Sequence, residues 1–116
     1  MKGNKKISRG QIDVGYKVYT ALFNYNGTSF TIIELENDIG LLVWTTTGTG
    51  DYLATLTNAF TGDNTVCFAG NDNTTEAISF FSKKNNNSVA LKMRDIDTGN
   101  ANGISYYVSL EIRVYN

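Results

Sequence analysis

The chain has 116 residues, a net charge of −1, a single cysteine, and neither histidine nor proline. A chain of this length is expected to form one domain and can bury a core without disulfides or metal. Histidine is the commonest general base and zinc ligand, so its absence argues against an enzyme, and we expect a non-enzymatic protein without a cofactor.

Residues 1–14 are predicted to be a basic arm that precedes a domain spanning 15–116. Within residues 1–12 there are four cationic side chains and no acidic one, giving a charge of +4: Lys2, Lys5, Lys6 and Arg9. Such an arm is either a solvated terminus or a segment that docks on an acidic partner or nucleic acid, with Lys5, Lys6 and Arg9 as contact candidates. It lacks an apolar run, so we expect neither a secretory signal nor a membrane span.

Alternating apolar residues and turn signals divide the domain into eight predicted strands. The first, at 15–24, is followed by Asn26-Gly27, a strong hairpin signal because both residues tolerate positive φ. Leu53, Leu56 and Phe60 also fit helical spacing, but the many threonines around them favour a strand. The remaining strands are placed at about 28–36, from 41 into the threonines, and at 52–57, 65–69, 77–81, 89–94 and 104–115.

The last strand has the clearest pattern in the sequence. Its even positions from Ile104 to Val114 are all apolar apart from the tyrosine at 106, and its odd positions carry polar residues or tyrosine. Strict alternation over twelve residues is typical of a half-buried strand. Eight short strands with turns every 8–12 residues indicate an all-β sandwich or barrel. We expect a single antiparallel β-sandwich with jelly-roll or immunoglobulin-like connectivity.

Aromatic residues are in excess of what one inner face per sheet requires. The first strand carries apolar residues on both faces, with Tyr19 and Phe23 on one of them, and Tyr107 and Tyr115 lie on the polar face of the last strand. We interpret these four side chains as candidates for a subunit interface or a ligand platform. The alternative is that scattered tyrosines on a protein surface are ordinary.

Few other residues suggest chemistry. Asp95 and Asp97 have the spacing that begins a calcium loop, with Asn100 as a third candidate ligand, but Gly99 and Asn100 are transposed relative to that loop and Tyr106 stands where it has Glu; an ordinary turn explains the same residues. Glu34 and Glu36 are predicted to share a strand face about 7 Å apart, near the carboxylate spacing of inverting glycosidases, although a solvated strand edge gives the same pattern. Cys67 lies in an apolar run and is predicted to be a small buried residue.

Several segments, in order, resemble small β-rich proteins of mostly unassigned function encoded by Bacteroidetes and their phages and prophages. They are Tyr16–Leu22, Leu35–Gly40, Val43-Trp44, Gly50–Tyr52, Leu56–Phe60 and the most specific one, Ile112-Arg113-Val114-Tyr115-Asn116. The resemblance implies a virion decoration, head-fibre or tail accessory subunit, made in the bacterial cytoplasm and located in the virion. It also implies a homo-oligomer, with a trimer favoured, whose arm docks on another virion subunit.

The alternative function is a carbohydrate-binding or receptor-binding β-sandwich module. Such a module would bind a glycan with an exposed aromatic residue and with the polar loops around 71–75, 84–87 and 97–103.

Overall fold

The computed structural model describes residues 15–71, 77–99 and 106–115, and these form two four-stranded antiparallel sheets packed face to face. The first sheet has the order β2-β1-β8-β5 and the second the order β3-β4-β7-β6. The strands are β1 Tyr16–Tyr25, β2 Phe30–Asn37, β3 Val43–Gly48, β4 Asp51–Thr55, β5 Thr65–Asn71, β6 Ala77–Asn85, β7 Ser88–Asp95 and β8 Tyr106–Tyr115. The prediction of an eight-stranded antiparallel sandwich is confirmed. None of the described segments forms a helix long and apolar enough to cross a membrane.

The order of the strands differs from the two connectivities that we expected. In an immunoglobulin sandwich the second strand lies between the first and the fifth, whereas here β1 lies between β2 and β8. Successive strands of a jelly roll mostly alternate between its two sheets. Here three consecutive pairs, β1-β2, β3-β4 and β6-β7, each stay within one sheet.

The core is formed by the inner faces of both sheets. One cluster of buried side chains includes Phe23, Leu91 and Leu110, and a second includes Tyr19, Val89 and Ile112. Ile32, Trp44 and Phe81 pack against both clusters, so the two are continuous. Trp44 also donates a hydrogen bond from Nε1 to the Tyr19 hydroxyl across the two sheets, at 3.1 Å.

The segment after β4 contains Leu56 and Phe60, which fit helical spacing together with Leu53. It forms a turn that closes one end of the sandwich. The amide of Leu56 donates a hydrogen bond to the carbonyl of Asn87 at 2.8 Å. The amide of Phe60 donates one to the carbonyl of Asn86 at 2.9 Å. These bonds hold the segment against the β6–β7 turn, and Phe60 is fully buried. The apolar spacing of 53, 56 and 60 therefore reflects a strand followed by a turn that covers the core.

Replacement of Leu110 by aspartate is expected to unfold the domain. Leu110 is buried on the inner face of β8, between Ala21 on β1 and Ala69 on β5. An unpartnered buried carboxylate costs several kcal/mol, against a typical domain stability of about 5–15 kcal/mol. The measurement is a urea titration in which unfolding is monitored by circular dichroism. The neighbouring Ser109→Asp, on the exposed face, is the control and retains a cooperative transition; an equally cooperative Leu110→Asp protein would contradict the core assignment.

Candidate interaction surface

The outer face of the first sheet carries most of the large apolar side chains that the structure leaves exposed. They come from all four strands of that sheet, and the largest exposed fractions are 63% for Leu35 and 59% for Tyr107. The outer face of the second sheet is less apolar, with Val43, Ile78 and Phe80 as its large exposed residues. The apolar outer face of the first sheet consists of Leu22, Ile33, Leu35, Val66, Phe68, Tyr107 and Tyr115.

A β-bulge in β2 brings Leu35 to this face. Thr20 on β1 pairs with Glu36, but the next residue, Ala21, pairs with Glu34, so Leu35 has no direct partner on β1. An extra residue of this kind bends a strand and redirects its side chains. Leu35 consequently stands as one wall above the outer face, next to Leu22.

Between this wall and Phe68 runs an open groove of about 420 Å³. Its floor is made of small residues: Thr20 on β1, Ser109 on β8 and Gly70 on β5. A Cβ atom at Gly70 would come within 2.9 Å of the Ser109 hydroxyl oxygen, which shows how closely the two strands approach. Apolar walls above a floor without bulky side chains form a recess that can accept side chains from another molecule.

Two of the charged groups on this face, Glu111 and Arg113, neutralise each other. The Nε of Arg113 donates to a carboxylate oxygen of Glu111, and its guanidinium lies 5.2 Å from the ring centroids of both Tyr16 and Phe68. Hydrogen bonds to Tyr115 and then to Glu111 raise the pKa of Arg113 above its ordinary value. The cation is held in place by aromatic and carboxylate neighbours, so the centre of this face carries little net charge.

The predicted interface residues divide into three groups. Tyr107 and Tyr115 are exposed on the outer face of the first sheet, as their position in the alternation of β8 predicted. Lys5, Lys6 and Arg9 lie outside the described residues. Tyr19 and Phe23 were wrongly assigned to a surface, since both are 0% exposed.

The register of β1 against β8 explains the error at Tyr19 and Phe23. These two residues pair with Ile112 and Val108, and directly paired residues of neighbouring strands point to the same face of a sheet. Burial is also the first cause that raises the pKa of Tyr19 to about 12, partly offset by the hydrogen bond from Trp44 and reinforced by Glu34. Tyr19 is therefore a neutral core residue that links the two sheets.

The bulge also separates the two carboxylates that had been considered as a catalytic pair. Glu34 pairs with Ala21, whose side chain points to the core, and Glu36 pairs with Thr20 on the outer face. The prediction that Glu34 and Glu36 share a face assumed a regular strand and is wrong.

The candidate calcium residues are only partly described. Asp95 accepts hydrogen bonds at its Oδ1 from the amides of Asp97 and Thr98, at 2.7 and 3.1 Å. This is the geometry of a turn capped by an aspartate side chain. Asn100 lies outside the described residues, and within the described ranges no three His, Cys, Asp or Glu side chains are grouped as metal ligands would be.

Leu35, Phe68 and Gly70 were missed by the sequence analysis. Val66 and Phe68 alternate with Cys67 and Ala69, so both faces of β5 are apolar and the pattern alone does not distinguish the outer one. The bulge that raises Leu35 has no sequence mark of its own. No family model matches the chain, nor does any curated protein or solved structure.

Cys67 is expected to react slowly in the folded protein. Its side chain packs against the core cluster around Tyr19, and burial raises the pKa of the thiol from 9.0 to about 11. At pH 8 a rise of this size lowers the thiolate fraction about 100-fold. Ellman's reagent at pH 8 should therefore modify the native chain at least about 100-fold more slowly than the chain unfolded in urea. Equal rates in the two states would show that Cys67 is not held in the core.

Proposed function

We propose that the protein is a non-enzymatic structural module that assembles with further copies of itself through the apolar outer face of the first sheet. The observation that carries this proposal is the groove between Leu35 and Phe68, with exposed apolar side chains around it. Monomeric proteins rarely leave a large contiguous apolar patch open to water, and such patches mark binding surfaces.

A second copy of the chain is the partner that this surface fits best. It presents both a projecting side chain, Phe68, and a recess floored by Gly70 and Ser109, so one copy can insert into another. The Glu111–Arg113 pair is internally neutral and does not repel an identical surface. Interfaces between identical subunits are typically rich in aromatic residues and depleted in unpaired charge.

Three features support a role without catalysis. The chain has no histidine; its one thiol is kept protonated by burial; and the bulge in β2 turns Glu34 and Glu36 to different faces. The groups that most often act as general base, nucleophile or carboxylate pair are thus either missing from the sequence or held in other roles.

The proposed setting is a phage or prophage virion, where the protein would be a decoration, head-fibre or tail accessory subunit. The support for this setting is the resemblance of the segments quoted above, and the same resemblance favours a trimer. In this proposal the basic arm, with Lys5, Lys6 and Arg9, docks on another virion subunit after the domains have associated through their sheets.

Phe68→Lys is expected to break the assembly without unfolding the domain. Phe68 is 47% exposed and pairs with Glu111 on β8, and the Arg113 guanidinium lies 5.2 Å from its ring, so a lysine there lies beside a neutral ion pair and places a further cation in the apolar contact. Multi-angle light scattering should give a mass about three times 12.8 kDa for the natural chain and 12.8 kDa for the variant. A natural chain that is monomeric at all accessible concentrations would rule out the proposed assembly.

The matched control is Phe80→Glu on the outer face of the second sheet. Phe80 is 53% exposed and pairs with Lys92, so the new carboxylate meets an opposite charge in its own chain. This variant should keep the oligomeric mass of the natural chain. Dissociation of Phe80→Glu, with Phe68→Lys still assembled, would place the contact on the second sheet.

Deletion of residues 1–12 should leave both the fold and the oligomeric state unchanged. The sheet-to-sheet contact does not involve the arm, and the described domain begins at Gly15. Light scattering and a thermal melt of the truncated chain test this expectation. A truncated chain that is folded but monomeric would show that the arm, and not the sheet face, holds the copies together.

A further inference from the structure

A second concave surface lies at one end of the sandwich, between the turn that joins β1 to β2 and the turn that joins β3 to β4. It is a cleft of about 440 Å³, within the size range of small-molecule sites. None of its lining residues lines the groove on the first sheet, so the two surfaces are independent.

The floor of the cleft is aromatic. Phe30 and Tyr52 meet edge to face with ring centroids 5.2 Å apart, and Tyr25 lies 6.3 Å from Tyr52. Behind them Phe23, fully buried, stacks on Phe30 at 5.5 Å with nearly parallel rings. The rings that face the cleft are therefore fixed by the core, and a ligand does not have to order them.

The rim of the cleft carries hydroxyl groups on both sides. Thr28 and Ser29 come from the first turn and Thr49 from the second, beside Thr46 of β3, whose hydroxyl donates to the carbonyls of Gly48 and Asp51. The first turn is held by the Asn26 side chain, whose Oδ1 accepts hydrogen bonds from the amides of Thr28 and Ser29 at 2.9 Å each. Hydroxyl groups both donate and accept hydrogen bonds, so this rim suits a ligand with many hydroxyls of its own.

The lining also indicates the charge of the ligand. Among the described residues that line the cleft, none carries an Asp, Glu, Lys or Arg side chain. A charged ligand would lose its hydration there without gaining a counter-charge. The cleft thus favours a neutral molecule with one apolar face, to lie on aromatic rings, and a polar edge, to reach the rim.

A sugar ring has this combination. One face of a pyranose presents C–H groups, which are attracted to the negative face of an aromatic ring, and its edge presents hydroxyls. We propose that the cleft between the β1–β2 and β3–β4 turns binds a neutral saccharide, with its C–H face against Tyr25 and Phe30 and its hydroxyls toward Thr28, Ser29 and Thr49.

None of the described residues that line the cleft belongs to the loops that the sequence analysis considers for a glycan. The turn within 84–87 joins β6 to β7 and lies at the end of the second sheet opposite the β3–β4 turn, because the β4 residues Asp51 and Thr55 pair with Lys92 and Ser88. Of the other two candidate loops, 72–76 and 100–103 lie outside the described residues. The aromatic floor that a sugar needs is found at the β1–β2 turn instead.

The test is an array of neutral and sialylated glycans from mono- to tetrasaccharides, followed by titration of any bound neutral glycan into ¹⁵N-labelled protein. We expect neutral glycans to bind and to shift amide signals within 25–30 and 46–52. Thr49→Trp, which fills the cleft from an exposed position, and Tyr25→Ala, which removes part of the floor, should each weaken binding at least about tenfold.

The controls are Thr45→Trp and Phe80→Ala on the outer face of the second sheet, both of which should bind as the natural chain does. No binding of any neutral glycan, or binding that survives Thr49→Trp, would overturn the proposal. Exclusive binding of sialylated glycans would overturn the assignment of a neutral ligand. Choline is added as a competitor because aromatic cages bind quaternary ammonium groups. Exclusive binding of choline would overturn that assignment as well.

Discussion

The fold depends on the pairing of its first strand with its last. Ten consecutive residues of β1, from Tyr16 to Tyr25, pair with the ten residues of β8 in reverse order. This ladder brings together segments about 90 residues apart in sequence, and β2 and β5 are added at its two edges. Contacts so distant along the chain carry a loop-closure entropy cost, and the burial of Val108, Leu110 and Ile112 on the inner face of β8 helps to offset it.

The same ladder decides which surface remains open. Since the inner residues of β8 are set by burial, the register assigns Tyr19, Ala21 and Phe23 to the core, and their sequence neighbours turn outward. Leu22 is thereby exposed beside Ile33 of β2, and the bulge adds Leu35 to the same face. The apolar outer face of the first sheet is thus a geometric consequence of core packing combined with one irregularity in an edge strand.

The sequence was informative where one face of a strand is polar and uninformative where both are apolar. Strand β8 could be predicted with the correct orientation because its odd positions are mostly polar or tyrosine. In β1 the set Tyr16, Val18 and Leu22 is about as apolar as the set Tyr19, Ala21 and Phe23. Only the pairing partner distinguishes them, and pairing is a non-local property. The bulge at Leu35 was equally hidden, because it shifts the register without requiring glycine or proline.

The cleft was beyond sequence analysis for a related reason: its two turns are distant in sequence and belong to different sheets. Its floor is the end of an aromatic row that runs through the sandwich, from Phe81 to Trp44 at 6.4 Å, on to Phe23 at 5.9 Å and to Tyr52 at 4.6 Å. The hydrogen bond from Trp44 to Tyr19 fixes the middle of this row to β1. At the end where β1 and β3 lead into turns that carry hydroxyl groups, Tyr25 and Phe30 are partly exposed beside Tyr52 and Phe23, which are buried. Trp44 contacts Phe23, which stacks on Phe30 of the cleft floor, whereas no residue of the apolar outer face of the first sheet lines the cleft. The apolar outer face of the first sheet and the cleft both include residues of the sheet built on the β1–β8 ladder. The cleft and the groove on that face share no lining residue, so the side chains of each can change independently.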